Sequence, residues 1–317
     1  MKKKSVIKFF FISILLASFS ALGETLNTSS SATEYTKPKF FDFITDIPRS
    51  LDEGGKYSFN TKPKTLWLCG GVISSSVLFY IYDEKLYKHA RIFARSIGLG
   101  NDDHTKPMLT LGKFNIFRGP TDVGSTIFFI GDGWLQAITA GSFLVNGSMT
   151  NDNRAMQTGS QIMNSLVTAS IPTQILKRAT GREDPNRASK YRGRWRPFSK
   201  NYSKDQSAYD AVPSGHIMAA TSTLTVIDAN YPEYRSFMRP LSFTLISLVG
   251  FQMLNVGVHW ASDYPLGIAM GYVFGTVAST HGKKTSGDVS SSNWQLLPIY
   301  SSGRDQQTFG ALTIIDF

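Results

Sequence analysis

The chain has 317 residues and a formal net charge of +10, with 42% hydrophobic residues and a single cysteine, Cys69. This length is well above that of a small disulfide-rich domain, and a single cysteine excludes an internal disulfide. The basic residues are not interleaved with aromatic residues as in a nucleic-acid stacking surface, so the charge favours anionic substrates or lipid head groups over nucleic acid.

The first 64 residues predict two segments outside the main body. Residues 1–23 join Lys2, Lys3 and Lys4 to a short apolar run and end in small residues, which is typical of a cleaved secretory signal. The apolar run is short for a membrane span, so we expect an exported protein that is periplasmic or membrane-associated. Residues 24–64 are rich in Ser, Thr, Lys and Pro and are predicted to form a flexible leader.

The predicted main body, residues 65–282, contains apolar runs of helical length. Their spacing near 3.6 residues and the lack of alternating runs predict an all-α helical bundle. The expected helices cover 65–82, 84–96, 125–145, 155–176, the residues after Ser214, 241–258 and 262 to about 280. The tail, residues 283–317, instead predicts an appended β-hairpin with strands at 293–300 and 308–317.

Three of these runs, 65–82, 241–258 and 264–282, have about the length of a membrane span. They are diluted by polar residues such as Gln252 and Asn255, and the mean hydropathy of −0.11 is low for a polytopic membrane protein. Buried core helices can resemble spans, so the pattern favours a soluble or peripheral bundle over an integral one.

Pro213, Ser214 and Gly215 join a polar loop to an apolar run that starts at Ile217. Ser214 stands where a helix N-cap is expected, and Gly215 allows a ligand to approach backbone N–H groups that suit a phosphate. His216 follows and could protonate an oxygen that leaves the phosphate. A capped helix with a solvent-facing histidine is the structural alternative, and the tripeptide alone favours it.

His259 and Asp263 are four residues apart, so on a helix they would share one face. The carboxylate could then hold one imidazole nitrogen while the other faces a substrate, as in an oriented nucleophile or base. A structural hydrogen bond is the alternative for such a pair taken alone. Two such motifs, each beside a separate apolar helix, favour a phosphoryl-transfer site.

The two motifs, preceded by the stretch from Lys177 to Pro185, resemble the type 2 phosphatidic acid phosphatase superfamily, which includes bacterial acid phosphatases and vanadium haloperoxidases. The resemblance covers roughly residues 124–282 and implies a helical-bundle fold. It also implies roles for individual residues: His259 as nucleophile, Asp263 as its orienting partner, His216 as general acid, and Lys177, Ser214 and Gly215 as phosphate ligands.

The chain departs from the family pattern where two arginines are expected. The first motif is Lys, six residues, Arg-Pro, and counting from Lys177 places Asp184 at the arginine while Pro185 is in register. The third motif has Ser-Arg before the histidine, where this chain has Gln252 and Met253. Each missing guanidinium contact removes on the order of 2–4 kcal/mol of transition-state stabilisation.

A basic stretch, residues 177–205, carries ten lysines and arginines against three acidic residues. Arg182 and Arg196 from this stretch are predicted to supply replacement phosphate contacts. A solvated basic loop is the alternative, and it accounts for most of the other basic side chains in the stretch.

Three functions are consistent with these residues. The favoured one is a metal-independent phosphatase that hydrolyses a phosphomonoester or diphosphate, with a phosphorylated lipid or a small phosphoester as substrate and a membrane surface as partner. A non-catalytic phosphate- or lipid-binding protein and a vanadium-dependent haloperoxidase are the alternatives. No pair of His or Cys residues has zinc spacing and no calcium loop is present in the sequence, so no metal or cofactor is expected for the phosphatase.

Overall fold

The structure is a computed structural model, and it describes residues 33–101, 105–111, 114–285, 293–302 and 307–316. The predicted signal, residues 1–23, lies outside this part of the chain. Two compact units are present, a large one comprising 35–282 and a small one that includes 283–317.

Nine helices occur in the described residues, and they form the bundle that the apolar spacing predicts. They are α1 (Asp42–Thr45), α2 (Ile47–Ser58), α3 (Pro63–Ser96), α4 (Val123–Ile130), α5 (Gly133–Thr150), α6 (Asn153–Thr180), α7 (Gly215–Asn230), α8 (Arg235–Val256) and α9 (Tyr264–Ala278). Short 3₁₀ turns lie at Pro185–Arg187, Gln206–Ala208, Pro232–Tyr234 and Ala261–Asp263. The predicted all-α fold class is confirmed.

The described strands form three two-stranded sheets. They pair β1 (Thr33–Tyr35) with β4 (Lys283–Thr285), β2 (Thr105–Leu111) with β3 (Phe114–Pro120), and β5 (Asn293–Ser302) with β6 (Gln307–Asp316). β5 and β6 are antiparallel, with Asn293 opposite Asp316, which confirms the predicted C-terminal hairpin. The β2–β3 hairpin is not among the elements that the sequence predicts, because its register shifts interrupt the alternation that marks a strand.

The core of the bundle lies between α6, α7 and α9. Ala169, Met218 and Met270, one from each of these helices, belong to one buried cluster. α8 covers another side of α7, where Met253 packs against Ile217 in a second cluster. Met253 is fully buried, so the position that holds an arginine in the family motif contributes here to the apolar core.

α9 approaches α7 at backbone distance because of three glycines, Gly267, Gly271 and Gly275. A Cβ atom added at any of them would lie 2.5–2.7 Å from a backbone oxygen of α7. This contact sets the beginning of α7 beside the turn that precedes α9, where the backbone N–H of Ser214 donates to the carbonyl oxygen of Asp263 at 3.2 Å. The glycines therefore bring the two sequence motifs together.

α2 lies within the segment that the sequence predicts as a flexible leader. Ser50 and Gly54 are buried on it. The Ser50 hydroxyl donates to Asn164 Oδ1 at 2.7 Å, and a Cβ at Gly54 would lie 2.6 Å from the ring of Phe274. Polar composition alone suggested disorder, but these small residues give α2 a face that docks on α6 and α9.

α3 joins two predicted helices into one of 34 residues. Only 6% of its apolar stretch is buried, and residues such as Trp67 and Ile73 are exposed. A buried core helix is therefore the wrong interpretation of this run. In the described part of the chain, α3 and Pro232–Val256 are long and apolar enough to cross a membrane, and the pair α4 and α5, bent by 66°, would form a third crossing.

Candidate active site

His259 lies in the turn between α8 and α9 and is 3% exposed. Its Nδ1 is 2.7 Å from the carbonyl oxygen of Ala211. A carbonyl oxygen can only accept, so Nδ1 carries the proton and Nε2 keeps a free lone pair. Burial and the charge of Lys177 lower the pKa of His259 to about 3. A neutral imidazole with a free Nε2 is the nucleophilic form of histidine.

Asp263 does not hold His259 by a direct hydrogen bond. The distance between Asp263 Oδ2 and His259 Nδ1 is 3.8 Å, because a 3₁₀ turn replaces the helix that the spacing suggested. Oδ2 accepts the backbone N–H of Trp260 at 2.7 Å instead. Ala211 is thus the nearer orienting partner, and sequence reasoning missed it because a backbone carbonyl has no residue signature.

Burial also raises the pKa of the Asp263 carboxyl to about 6, although the guanidinium of Arg182 opposes this shift. Asp263 is therefore mostly ionised at neutral pH. Its charge lies close enough to His259 to favour a positively charged imidazole ring through space.

Arg182 is predicted from the sequence to bind phosphate, and the structure corrects this prediction. Arg182 is 1% exposed, and its Nη1 donates to Asp263 Oδ1 at 2.6 Å and to Ser262 Oγ at 2.7 Å. Nη2 donates to Asp83 Oδ2 at 2.7 Å and to the carbonyl of Arg192 at 3.1 Å, and Nε donates to the same carbonyl at 3.4 Å. All five N–H groups are engaged, so Arg182 positions Asp263 rather than a phosphoryl oxygen.

Arg196, the other predicted replacement, pairs with Glu183. Its Nη2 lies 3.2 Å from Glu183 Oε1, and its guanidinium lies 5.9 Å from the ring centre of Tyr209. Among the contacts of the described residues, none joins Arg196 to His216 or His259. Its role as a phosphate ligand stays a prediction.

The beginning of α7 has the form that the sequence predicts. Ser214 is the N-cap residue, and its Oγ accepts the N–H of Ile217 at 3.4 Å. A Cβ added at Gly215 would meet no atom within 4 Å, so the first turn of the helix is open to a ligand. The rings of His216 and His259 lie 5.8 Å apart between centroids. The two predicted catalytic histidines are thus brought together.

His216 is in an environment that disfavours its charged form. Burial, together with the charges of His259 and Lys177, lowers the pKa of His216 to about 3. Without a ligand the ring is neutral and holds no proton to give as an imidazolium. A bound anion would favour the charged ring and so raise the pKa of His216.

Lys177 lies in the last turn of α6 and is buried, with Nζ 3.2 Å from Asp210 Oδ2. Asp184 is close enough for the charges of Lys177 and Asp210 to act on it. Lys177 lies among the polar groups of the site, and its role as a phosphate ligand stays a prediction. Sequence reasoning missed Asp210, since a single acid in a polar loop carries no motif.

A cavity of about 380 Å³ lies between α5, α6 and α7. Lys177, Gly215 and His216 line it together with Asp132, the N-cap residue of α5. Most of its other lining side chains are apolar: Ala137, Met163, Leu166, Val167, Met218 and Ala219. One cavity therefore offers polar groups to a phosphate and apolar surface to the rest of a ligand.

A second cavity, of about 460 Å³, includes Glu84 and Lys190 but neither histidine of the site. The smaller cavity is the better candidate for substrate because it contains His216 and Lys177. In the described residues, no group of three or more His, Cys, Asp or Glu side chains is placed to hold a metal ion.

Part of the chain matches a known protein family. The model of the PAP2 superfamily matches residues 159–285, which contain Lys177 and both histidines. Among solved structures, the chain is similar to the "first transmembrane PAP2 type phosphatidylglycerolphosphate phosphatase from Bacillus subtilis", with 14% identity and a TM-score of 0.40, over 76% of this chain and 96% of that chain. No curated protein matches the sequence. The family match confirms the resemblance identified from the motifs.

Proposed function

We propose that this chain, whose residues 159–285 match the PAP2 superfamily, is a metal-independent phosphatase that hydrolyses a phosphomonoester or diphosphate through a phosphohistidine at His259. The family match supports a phosphatase-type function. The observation that carries the mechanism is the 2.7 Å hydrogen bond from His259 Nδ1 to the Ala211 carbonyl. It leaves Nε2 of a neutral ring as a nucleophile next to His216.

The reaction would proceed in two displacements. His259 Nε2 attacks phosphorus, so that a P–N bond forms while the P–O bond to the leaving group breaks and His216 gives that oxygen a proton. Water then attacks the phosphohistidine and His216 takes a proton from the water. A new P–O bond forms while the P–N bond breaks, and its electron pair returns to His259 Nε2 as the lone pair.

The low pKa values of both rings imply that the substrate delivers the proton. A phosphomonoester loses its second proton with a pKa near 6, so the monoanion is the form that can charge His216 on binding. We therefore expect kcat/KM to fall by about tenfold per pH unit above roughly pH 7.

A lipid phosphate is the substrate class that the surroundings of the site support best. The cavity combines Lys177 and His216 with an apolar lining. Residues 63–83 of α3 extend about 30 Å at the helical rise, which is close to the thickness of a bilayer core. Asp83, at the end of this stretch, contacts Arg182, so a crossing by α3 would place the site at the membrane surface.

A non-catalytic lipid phosphate-binding protein is the second candidate, and one observation favours it. Met253 is buried in the core, and the N–H groups of Arg182 donate to two carboxylates, the Ser262 hydroxyl and the Arg192 carbonyl. The phosphate therefore has fewer cationic donors than the family motif provides. The predicted signal at 1–23 supports an exported protein under either function.

The test is phosphate release by the purified full chain in detergent with EDTA present. The substrates would be a short-chain phosphatidic acid, an isoprenyl diphosphate and a soluble aryl phosphate. We expect His259→Ala to lower kcat by on the order of 10³-fold or more, because the nucleophile is lost. His89→Ala is the matched control, since His89 is exposed on α3 and bonds to the Lys85 carbonyl of the same helix.

An acid-labile phosphoenzyme that is present in the parent protein and absent from His259→Ala would identify the intermediate. Equal release by the parent and His259→Ala, with phosphatidic acid still retained, would favour the binding protein over the phosphatase.

A further inference from the structure

The cations of the site are already balanced by carboxylates. Lys177 Nζ is 3.2 Å from Asp210 Oδ2. Arg182 is held between Asp83 and Asp263, 2.7 and 2.6 Å from their oxygens. A phosphoryl group that binds here adds negative charge to a site whose cations are already neutralised. Its oxygens therefore need hydrogen-bond donors that carry no negative charge themselves.

Asp184 has an atom that no neighbour satisfies. It immediately precedes the 3₁₀ turn Pro185–Arg187 and is 3% exposed. Its backbone oxygen accepts the N–H of Arg187 at 3.0 Å. Its side-chain Oδ1 is enclosed and has no hydrogen-bond partner among the described residues. A buried carboxyl oxygen of this kind is unfavourable unless a ligand completes its bonding.

The charges that face Asp184 come from every segment packed around it. Lys177 on α6 favours its ionised form, whereas Asp210 and Asp205 in the loop before α7 and Asp263 before α9 oppose it. Burial and the charge of Asp210 outweigh Lys177 and raise the pKa of Asp184 to about 10. At neutral pH the side chain is therefore a carboxylic acid with one O–H donor.

We propose that Asp184 is a phosphate-binding residue that acts as a neutral acid, donating its O–H to a phosphoryl oxygen held by Lys177. This inference rests on the proposed phosphatase function. A dianion or monoanion near Asp184 makes loss of its proton still less favourable, so substrate binding and protonation of Asp184 support each other. An ionised Asp184 would repel the same group.

The experiment compares Asp184→Asn with Asp184→Ala in phosphate release and in binding of orthovanadate, a phosphate analogue. Asparagine keeps the shape and an N–H donor but cannot ionise, whereas alanine removes the donor. We expect Asp184→Asn to lose a few-fold in kcat/KM and in vanadate affinity, and Asp184→Ala to lose roughly 10- to 100-fold in both. Asp228→Asn, an acid paired with Arg235 at the other end of α7, is the control and should leave both unchanged.

Folding supplies a readout of the protonation state that does not depend on activity. The carboxyl pKa is raised from 3.8 to about 10 in the folded protein, so the stabilising effect of the bound proton is complete below pH 4 and is lost as pH rises towards 10. Thermal unfolding between pH 6 and 9 should therefore show Asp184→Asn gaining Tm relative to the parent as pH increases. Since asparagine is nearly isosteric, this variant should fold.

Different failures are distinguishable. Equal losses in Asp184→Asn and Asp184→Ala, or no loss in either, would overturn the donor role, because the side chain would then act as an anion or not touch the phosphate. A parent protein that releases no phosphate beyond His259→Ala would instead overturn the phosphatase, and vanadate affinity of the two Asp184 variants would still test the donor.

Discussion

α3 exposes apolar side chains, whereas α6 buries polar ones. α3 exposes apolar residues along most of its first five turns, including Leu66, Trp67, Ile73 and Val77. α6 buries a row of polar residues: Gln157, Thr158, Ser160, Gln161, Asn164, Ser165, Thr168, Thr173 and Lys177. In a bundle surrounded only by water this arrangement would be inverted. The hydrophobic composition of a helix therefore does not predict whether it lies in the core. A polar helix can lie there when neighbouring elements supply hydrogen-bond partners.

Neighbouring elements satisfy part of the polar row of α6, whereas the buried Thr168 hydroxyl has no hydrogen-bond partner among the described residues. Gln161 Oε1 accepts from Asn230 Nδ2 at 2.6 Å, and Gln161 Nε2 donates to the His281 carbonyl at 2.5 Å. Asn164 accepts from Ser50. The row ends at Lys177, so the polar interior of α6 leads directly to the candidate site. α3 turns one polar residue inward, Asp83, which binds Arg182.

Breaking the contact between α3 and the site, which is the Asp83–Arg182 ion pair, should cause the largest loss of stability. Arg182→Met leaves Asp83 and Asp263 buried without a countercharge, which costs about 3–5 kcal/mol of unfolding free energy. We also expect kcat/KM to fall, since Asp263 loses its orientation. Denaturant unfolding in detergent and kcat/KM measure the two effects.

Arg187→Met is the matched control, because Arg187 is exposed and lies 3.9 Å from Asp205; it should change stability by less than about 0.5 kcal/mol. The double variant Asp83→Asn with Arg182→Met should regain part of the lost stability. An Arg182→Met protein as stable as the parent would mean that α3 is not tied to the site through this pair.

Replacing a buried polar residue of α6 should cause an intermediate loss of stability. Gln161→Leu leaves Asn230 Nδ2 with one partner fewer and the His281 carbonyl without this donor, which costs about 1–3 kcal/mol. Gln174→Leu makes the same change on the exposed side of α6 and should be close to neutral. If the two variants lost the same Tm in thermal unfolding, hydrogen bonding would not be the reason why α6 lies in the core.

Local pattern predicts some parts of this molecule well. Most of the helix positions, the N-cap at Ser214 and the C-terminal hairpin depend on spacing and on residues close in sequence, and they are found in the structure. The predicted helix 125–145 is an exception, because the chain bends by 66° between α4 and α5. The four-residue spacing of Gly267, Gly271 and Gly275 was also available as a sign of close helix packing, but it was missed.

The rest of the site depends on partners that are distant in sequence. Arg182 is a strong candidate for a phosphate ligand until Asp83, which is 99 positions away, is found at 2.7 Å. Ala211 orients His259 through a backbone oxygen, which any residue would provide. The neutral state of Asp184 requires its burial beside Asp210. Such roles arise from tertiary packing and leave no motif in the sequence.

Substitutions on the exposed face of α3 should have the smallest effect on stability in detergent. They should have a clear effect on whether the protein stays in the membrane. Ile73 and Ile92 are 64% and 65% exposed on the same helix, but only Ile73 precedes Asp83 and so lies in the proposed crossing. In detergent, Ile73→Lys and Ile92→Lys should each change unfolding free energy by about 0.5 kcal/mol or less. In membranes, a lysine near the middle of a span costs roughly 2.5–3.5 kcal/mol of insertion free energy. Ile73→Lys should therefore lower the fraction of protein that resists alkaline extraction from vesicles, whereas Ile92→Lys should not. Equal extraction of both variants would mean that a protein partner, and not lipid, covers α3.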